Sequence, residues 1–185
     1  MNFSLIPKYT HLSANRVIIF AEKTGMTPRL PRILICPLDW GLGHATRCIP
    51  LIRELNSAGA TIILAADGPQ LCLLRAEFPE LEWINFPGYK INYSIRTGAG
   101  YKIFYDAPRI ALRVLREHLQ LRRIIKKYRI DAVISDNRYG LWNRNVHTVF
   151  ITHQLNIIAP QPLKFCEPWL HSAVRYFAEK YNDCW

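Results

Sequence analysis

The sequence predicts an α/β chain, with a parallel sheet covered by helices on both faces. Three observations carry this. A short, wholly apolar run at 33–36 and the largely apolar runs 61–66 and 132–135 read as buried strands. Helical segments with recognisable starts and stops alternate with them. Half of the 185 residues are apolar, enough for a packed core of one-domain size, which excludes a disordered chain. Strand and helix in alternation give parallel strands joined by right-handed crossovers. Ligands on such sheets bind at the carboxyl ends of the strands.

Element by element, residues 1–31 show no clear period beyond the strand-like Val17–Phe20 and are closed by Pro28 and Pro31. They are expected to form an extension, with Met26 an alternative natural start. The domain proper is 32–185. Ile33–Cys36 is the first strand, followed by a two-glycine loop and a helix over 45–57 that Gly59 stops. Thr61–Ala66 is the second strand, and Pro69 opens a helix through Phe78. Leu81–Phe86 is the third. A long aromatic loop is expected over 87–107 and a long helix over 108–128. Ala132–Ser135 and Thr148–Thr152 are two further strands, and Pro168 starts a last helix to about Tyr181.

The formal net charge is +10, and it is concentrated. Residues 1–30 carry four basic side chains against Glu22, and 109–129 carry eight against Glu117. The rest is balanced. The five cysteines form no CxxC pair and no Cys/His cluster suited to zinc, and most lie in apolar runs, which favours a reducing compartment. No apolar run approaches the roughly 18 residues a membrane span needs. A signal-peptide pattern is absent from the N-terminus, so a cytoplasmic protein is expected.

Three strand-end loops are unusual. Asp39-Trp40-Gly41-Leu42-Gly43-His44-Ala45-Thr46-Arg47 lets the backbone turn tightly and feeds straight into a helix, whose free N–H groups favour an anion. A plain strand-to-helix turn is the simpler reading. The pattern G-x-G-x-x-T, with Thr46 in place of a third glycine and Asp67 ending the second strand, also leaves open a dinucleotide-binding oxidoreductase domain. The second loop, Ser135-Asp136-Asn137-Arg138-Tyr139-Gly140, is a dense polar cluster in which Asp136 and Asn137 also suit turn capping. The third, 152–160, carries His153, Gln154 and Asn156, for which solvation and local backbone bonds are the simpler role. Three such clusters converging on one sheet edge argue for a site.

The runs RILICPLDWGLGHATRCIPLIREL, AADGPQ, FPGY, SDNRYGLW and ITHQLNIIAP resemble bacterial glycosyltransferases related to the peptidoglycan N-acetylglucosaminyltransferase, over about residues 32–185. Gly41, Gly43 and His44 match that family's glycine-rich loop ending in histidine. His153 and Asn156 match its His-x-Gln-Asn element loosely, being spelled His-Gln-Leu-Asn. The resemblance implies the amino-terminal, acceptor-binding half of a GT-B architecture of two facing Rossmann-like domains. The donor-binding half would be missing or on a separate chain, so the chain alone is expected to be inactive.

The implied chemistry is transfer of a sugar from a nucleoside diphosphate sugar, such as a UDP-sugar, to a hydroxyl of a lipid-linked or other cell-envelope acceptor. His44 is the candidate base, because imidazole exchanges protons near neutrality. Asp136 is the second candidate, as base or as the group orienting the imidazole. Gly41, Leu42, Gly43, Thr46, Asn137, Arg138, His153, Gln154 and Asn156 are the candidate acceptor and phosphate contacts. No Asp-x-Asp pair is present, and neither metal nor other cofactor is expected.

Arg109, Arg113, Arg116, Arg123 and Lys127 fall in one helical arc, beside an apolar stripe of Ile110, Val114, Leu121, Ile125 and Tyr128. A solvated face is the usual fate of such a run, yet like charges so close repel one another. An anionic partner relieves that repulsion. With the aromatic and basic residues of 87–107, this suits docking on an anionic membrane surface. Single-stranded nucleic acid would suit it too, but the resemblance disfavours that partner. A non-catalytic basic module binding membrane or nucleic acid is the remaining alternative.

Overall fold

The computed structural model describes residues 30–88, 99–152 and 161–185, with side chains described from 108 and from 164 onward in the latter two stretches. Six strands form one parallel sheet: β1 (Arg32–Cys36), β2 (Thr61–Ala66), β3 (Glu82–Asn85), β4 (Ala132–Asp136), β5 (His147–Ile151) and β6 (Asp183–Cys184). The order across the sheet is β3-β2-β1-β4-β5-β6. Helices α1 (Leu42–Ser57), α2 (Gly68–Glu77), α3 (Ala99–Tyr128) and α4 (Glu167–Ala178) connect them, with a 3-10 segment at Gln161–Cys166 before α4. This is the Rossmann-like arrangement that the alternation predicts.

Period-two alternation divides the core between the two faces. Ile33, Ile35, Ile62, Leu64 and Ile134 pack under Ala45, Cys48, Ile52 and Leu55 of α1 and Leu74 of α2. Leu34, Cys36, Ile63, Val133 and Phe150 face the other way, onto Leu121 of α3 and Tyr181. The buried residues of α1 recur at intervals of three and four, which is the amphipathic helix reading of that segment.

Three expectations need correction. The stretch 87–107 is not all loop, because α3 starts at Ala99 and runs through Pro108. A proline is favoured at a helix start, but inside a helix it removes one N–H donor, and here the helix continues past it. The first helix starts at Leu42 rather than 45, so Gly43 and His44 belong to its first turn. A sixth strand of two residues follows the last helix, which ends at Ala178, three residues before Tyr181.

Sheet order places the functional edge. It reverses between β1 and β4, whose connections leave on opposite sides, β1 toward β2 and β4 toward β5. At such a switch point the loops after the two central strands diverge and leave a crevice. Here those loops are 37–41 and 137–146.

Candidate functional site

Gly41 carries the chain from β1 into α1 with φ 141° and ψ 157°, a region essentially reserved for glycine. Among the described residues no side chain caps this helix start. A Cβ added at Gly43 would meet nothing within 4 Å among the described residues, which leaves the first turn of α1 open to an approaching group on their side. His44 sits on that turn and reaches across to the end of β4. Its Nδ1 lies 2.9 Å from Oδ2 of Asp136. The Asp136 side chain is 1% exposed and that of His44 is 13% exposed. Two of the three predicted strand-end clusters therefore meet at the switch point.

A third charged group joins them. Arg47 Nε lies 3.2 Å from the same Asp136 Oδ2, and its Nη2 lies 2.7 Å from His44 Nδ1 and 3.4 Å from Nε2. Asp136 Oδ1 is buried and has no hydrogen-bond partner among the described residues. Arg47 stood inside the motif without being singled out. The signal was its spacing, three residues after His44 and on the same helical face.

The remaining candidates are not equivalent. Asn137 adopts φ 58°, a left-handed conformation that asparagine tolerates. Its N–H donates to the Ile151 carbonyl at 2.9 Å and its Oδ1 accepts from Thr152 at 3.2 Å, which ties the β4 loop to the end of β5. The exposed Thr46 hydroxyl donates to the Gly43 carbonyl within its own helix turn. Leu42 is exposed beside Gly41 and Gly43. His153, Gln154 and Asn156 lie outside the described residues, as do Tyr89, Lys90, Tyr93 and Arg96 of the aromatic segment.

Arg138 departs from its expected role. It is fully buried, with Nη2 2.9 Å and Nε 3.2 Å from Glu117 Oε1, and Nη1 donating to the Phe86 carbonyl at 3.1 Å. Its guanidinium also stacks over the Phe86 ring at 4.3 Å. With its donors turned inward and no exposed surface, it is placed to fasten loops rather than to touch a ligand. Glu117 was the one acidic residue of the basic segment. Its spacing from Val114 and Leu121 marks it as inward-facing.

Asp39 is a further residue the motif contained without a stated role. Both its carboxylate oxygens are buried without a partner among the described residues, directly under Gly88. No group of three or more His, Cys, Asp or Glu side chains is placed to hold a metal ion among the described residues.

On α3, Arg109, Arg113, Arg116, Arg123 and Lys127 are all exposed, while Val114 and Leu121 are buried. The separation of basic arc and apolar stripe therefore holds. Three leucines absent from that reading, Leu112, Leu115 and Leu119, are 54%, 54% and 48% exposed among these cations. Among the described residues no helix is long and apolar enough to cross a membrane.

Among solved structures, the chain is similar to LpCGTa in complex with UDP, at 14% identity and a TM-score of 0.52, over 82% of this chain and 43% of that one. It is also similar to MurG of Acinetobacter baumannii (16% identity, 85% and 40% covered, TM-score 0.47). A third is the glycosyltransferase SnogD of Streptomyces nogalater (19% identity, 82% and 40% covered, TM-score 0.45). No protein family matches the sequence, and no curated protein does. The fold is the Rossmann-like fold found in GT-B glycosyltransferases, and the chain spans less than half the length of each of these three structures.

Proposed function

We propose that the chain is the acceptor-binding half of a glycosyltransferase, moving a sugar from a nucleoside diphosphate sugar to a lipid-linked or other cell-envelope hydroxyl. The observation that carries this reading is the 2.9 Å approach of His44 Nδ1 to Asp136 Oδ2 at the switch point. With Nδ1–H donating to the carboxylate, the ring lone pair is at Nε2. The acceptor O–H gives its proton to Nε2 as its oxygen bonds to the anomeric carbon. The bond from that carbon to the diphosphate breaks, and the nucleoside diphosphate leaves. Asp136 orients the ring and stabilises the imidazolium that forms. The free N–H groups around Gly41, Leu42 and Gly43 suit an acceptor phosphate. Asn137 belongs to the loop after β4 beside them, and His153, Gln154 and Asn156, which follow β5 in the sequence, are assigned to the same acceptor.

The donor is assigned to a second domain of the GT-B type. Uridine diphosphate is the favoured nucleotide, supported by its presence in the LpCGTa structure. The exposed cations and leucines of α3 support peripheral docking on the inner face of an anionic cell membrane. The test is sugar transfer from labelled UDP-sugars to lipid-linked and glycan acceptors, with the chain paired with a donor-binding half. His44→Ala is expected to lower turnover by roughly 10²–10⁴-fold, the usual worth of a general base. Unchanged turnover removes His44 from that role.

A further inference from the structure

We infer that Asn137 is a positioning residue, whose left-handed backbone holds the Asp136 carboxylate in reach of His44. The inference rests on reading His44 as the base that Asp136 orients, but its physical content is the conformation of one residue.

Asp136 is the last residue of β4 and pairs with Ile151 of β5. Strand alternation puts its side chain on the face of Ala132 and Ile134, the face that α1 covers. A strand that simply continued would bring Arg138 out on that face too. Arg138 is found on the other face, stacked over Phe86 and paired with Glu117 of α3. The chain changes course at the residue between them. Asn137 has φ 58°, a conformation that glycine adopts freely, asparagine tolerates and alanine resists.

The turn is pinned on both sides. The Asn137 N–H donates to the Ile151 carbonyl at 2.9 Å, one rung beyond the Asp136 pairing. The Arg138 carbonyl accepts from the hydroxyls of Ser135 and Tyr181, each at 2.6 Å. With both ends fixed, the φ of residue 137 sets the path of the chain between them. A negative φ there must move Asp136 or break one of these bonds. Asp136 has little room to compensate, since its side chain is 1% exposed and its Oδ2 lies 2.9 Å from His44 Nδ1. The Asn137 side chain has a separate task. Its Oδ1 accepts from the Thr152 hydroxyl at 3.2 Å, which ties the turn to the end of β5. Backbone and side chain can therefore be told apart by substitution.

The test is a double-mutant cycle of His44→Ala and Asp136→Ala in urea denaturation of the complete chain, repeated with residue 137 or 152 changed. Arg47 touches both side chains and is kept in every arm. The wild-type cycle is expected to show a coupling of roughly 2–150-fold in the unfolding constant, the range for residues in contact. Asn137→Gly keeps the left-handed turn and should keep the coupling. Thr152→Val removes the hydroxyl of the tie and should keep it as well. Asn137→Ala should lose it. With a donor-binding half present, kcat should fall with the coupling in Asn137→Ala and hold in Asn137→Gly, KM being unchanged. A coupling that survives Asn137→Ala overturns the inference. So does a coupling lost in Asn137→Gly, which keeps the inference open to refutation even if Asn137→Ala does not fold. The cycle reads the contact and not the transfer. Unchanged turnover of His44→Ala would therefore remove the base and leave the placement of Asp136 standing, whereas a coupling retained in Asn137→Ala would do the reverse.

Discussion

Arg138 and Glu117 form an ion pair 2.9 Å long in which neither side chain is more than 4% exposed. The pair joins the loop after β4 to the inner face of α3. Through the Phe86 carbonyl and ring, Arg138 also holds the loop after β3. One side chain thus fastens three parts of the edge where His44 and Asp136 meet. Burial pushes the Glu117 carboxyl above the ordinary carboxylate range, and Arg138 pulls against that rise.

Arg138→Met leaves the Glu117 carboxylate buried without its counter-charge, which typically costs about 3–5 kcal/mol. It also removes the pull that opposes burial, so the native carboxyl rises further. A carboxyl whose native value lies above its unfolded value binds a proton in the native state that the unfolded chain has released. Stability is then lost as pH rises through that interval. The deficit of Arg138→Met in urea denaturation should therefore be larger at neutrality than at mildly acid pH. A Glu117→Gln, Arg138→Met double variant should recover most of it. A pH-independent deficit would exclude this account.

Gly140 is a second constraint on the same contact. A Cβ there would lie 2.5 Å from the Val114 carbonyl oxygen and 2.9 Å from Glu117 Cβ. The carbonyl belongs to the α3 backbone and cannot rotate away, so Gly140→Ala must push the helix off the sheet. Overpacking of this kind costs about 1–3 kcal/mol. A thermal midpoint equal to wild type would show that α3 shifts freely.

The parts of this arrangement were unequally legible in the sequence. The strands β1, β2 and β4 could be read because each carries a run of at least three consecutive apolar residues, as strands buried on both faces do. The two-residue β6 offers no such run, and it is defined by pairing with Val149 and Phe150 rather than by its own composition. The start of α3 was concealed by Pro108, a residue that marks helix starts and is tolerated here in the interior. His44 and Asp136 could be found because topology sends every strand end to one edge. Arg138 stands two residues from Asp136 and looks the same in sequence. The left-handed turn at Asn137 comes between them, and Arg138 ends buried against Phe86 and Glu117, a partner 21 residues away in the chain. Only a tertiary contact separates the two roles.

The two glycines of the motif should respond in opposite ways. At Gly41 the backbone lies in a region that costs other residues roughly 1–3 kcal/mol, so Gly41→Ala should lower stability and displace His44. Gly43 lies inside α1 with open space at its missing Cβ, and Gly-to-Ala inside a helix gains up to about 1 kcal/mol. Gly43→Ala should therefore fold at least as stably as wild type while placing a methyl group in the path of any ligand approaching the helix start. Paired denaturation and transfer assays check both. A destabilised Gly43→Ala would contradict the open first turn.

Thiol chemistry offers a check on the sheet core. Burial pushes the Cys36 thiol up to about 12 and the Cys48 thiol well above its ordinary value. The thiolate is the reactive form, so both should resist iodoacetamide in the native chain at mildly alkaline pH and react only on unfolding. Cys72 and Cys184 are exposed and should alkylate natively, although partial burial raises the Cys184 thiol as well. Mass mapping after timed alkylation reads all of them. Native labelling of Cys36 at the rate of Cys72 would mean that the carboxyl end of the central strand β1 opens readily.

The outer face of α3 separates two contributions to membrane docking. Leu112, Leu115 and Leu119 recur at intervals of three and four on the solvent side, and Arg109, Arg113, Arg116, Arg123 and Lys127 lie alongside. Juxtamembrane cations contribute about 1 kcal/mol each near an anionic surface and are screened by salt, whereas buried apolar side chains are not. Reversing Arg113, Arg116 and Arg123 to Glu should abolish flotation with phosphatidylserine-containing liposomes. Changing the three leucines to Ser should weaken flotation without altering its steepness in salt. All six side chains are exposed, so neither set should disturb the fold. Flotation that survives charge reversal would leave the basic arc as an ordinary solvated helix face.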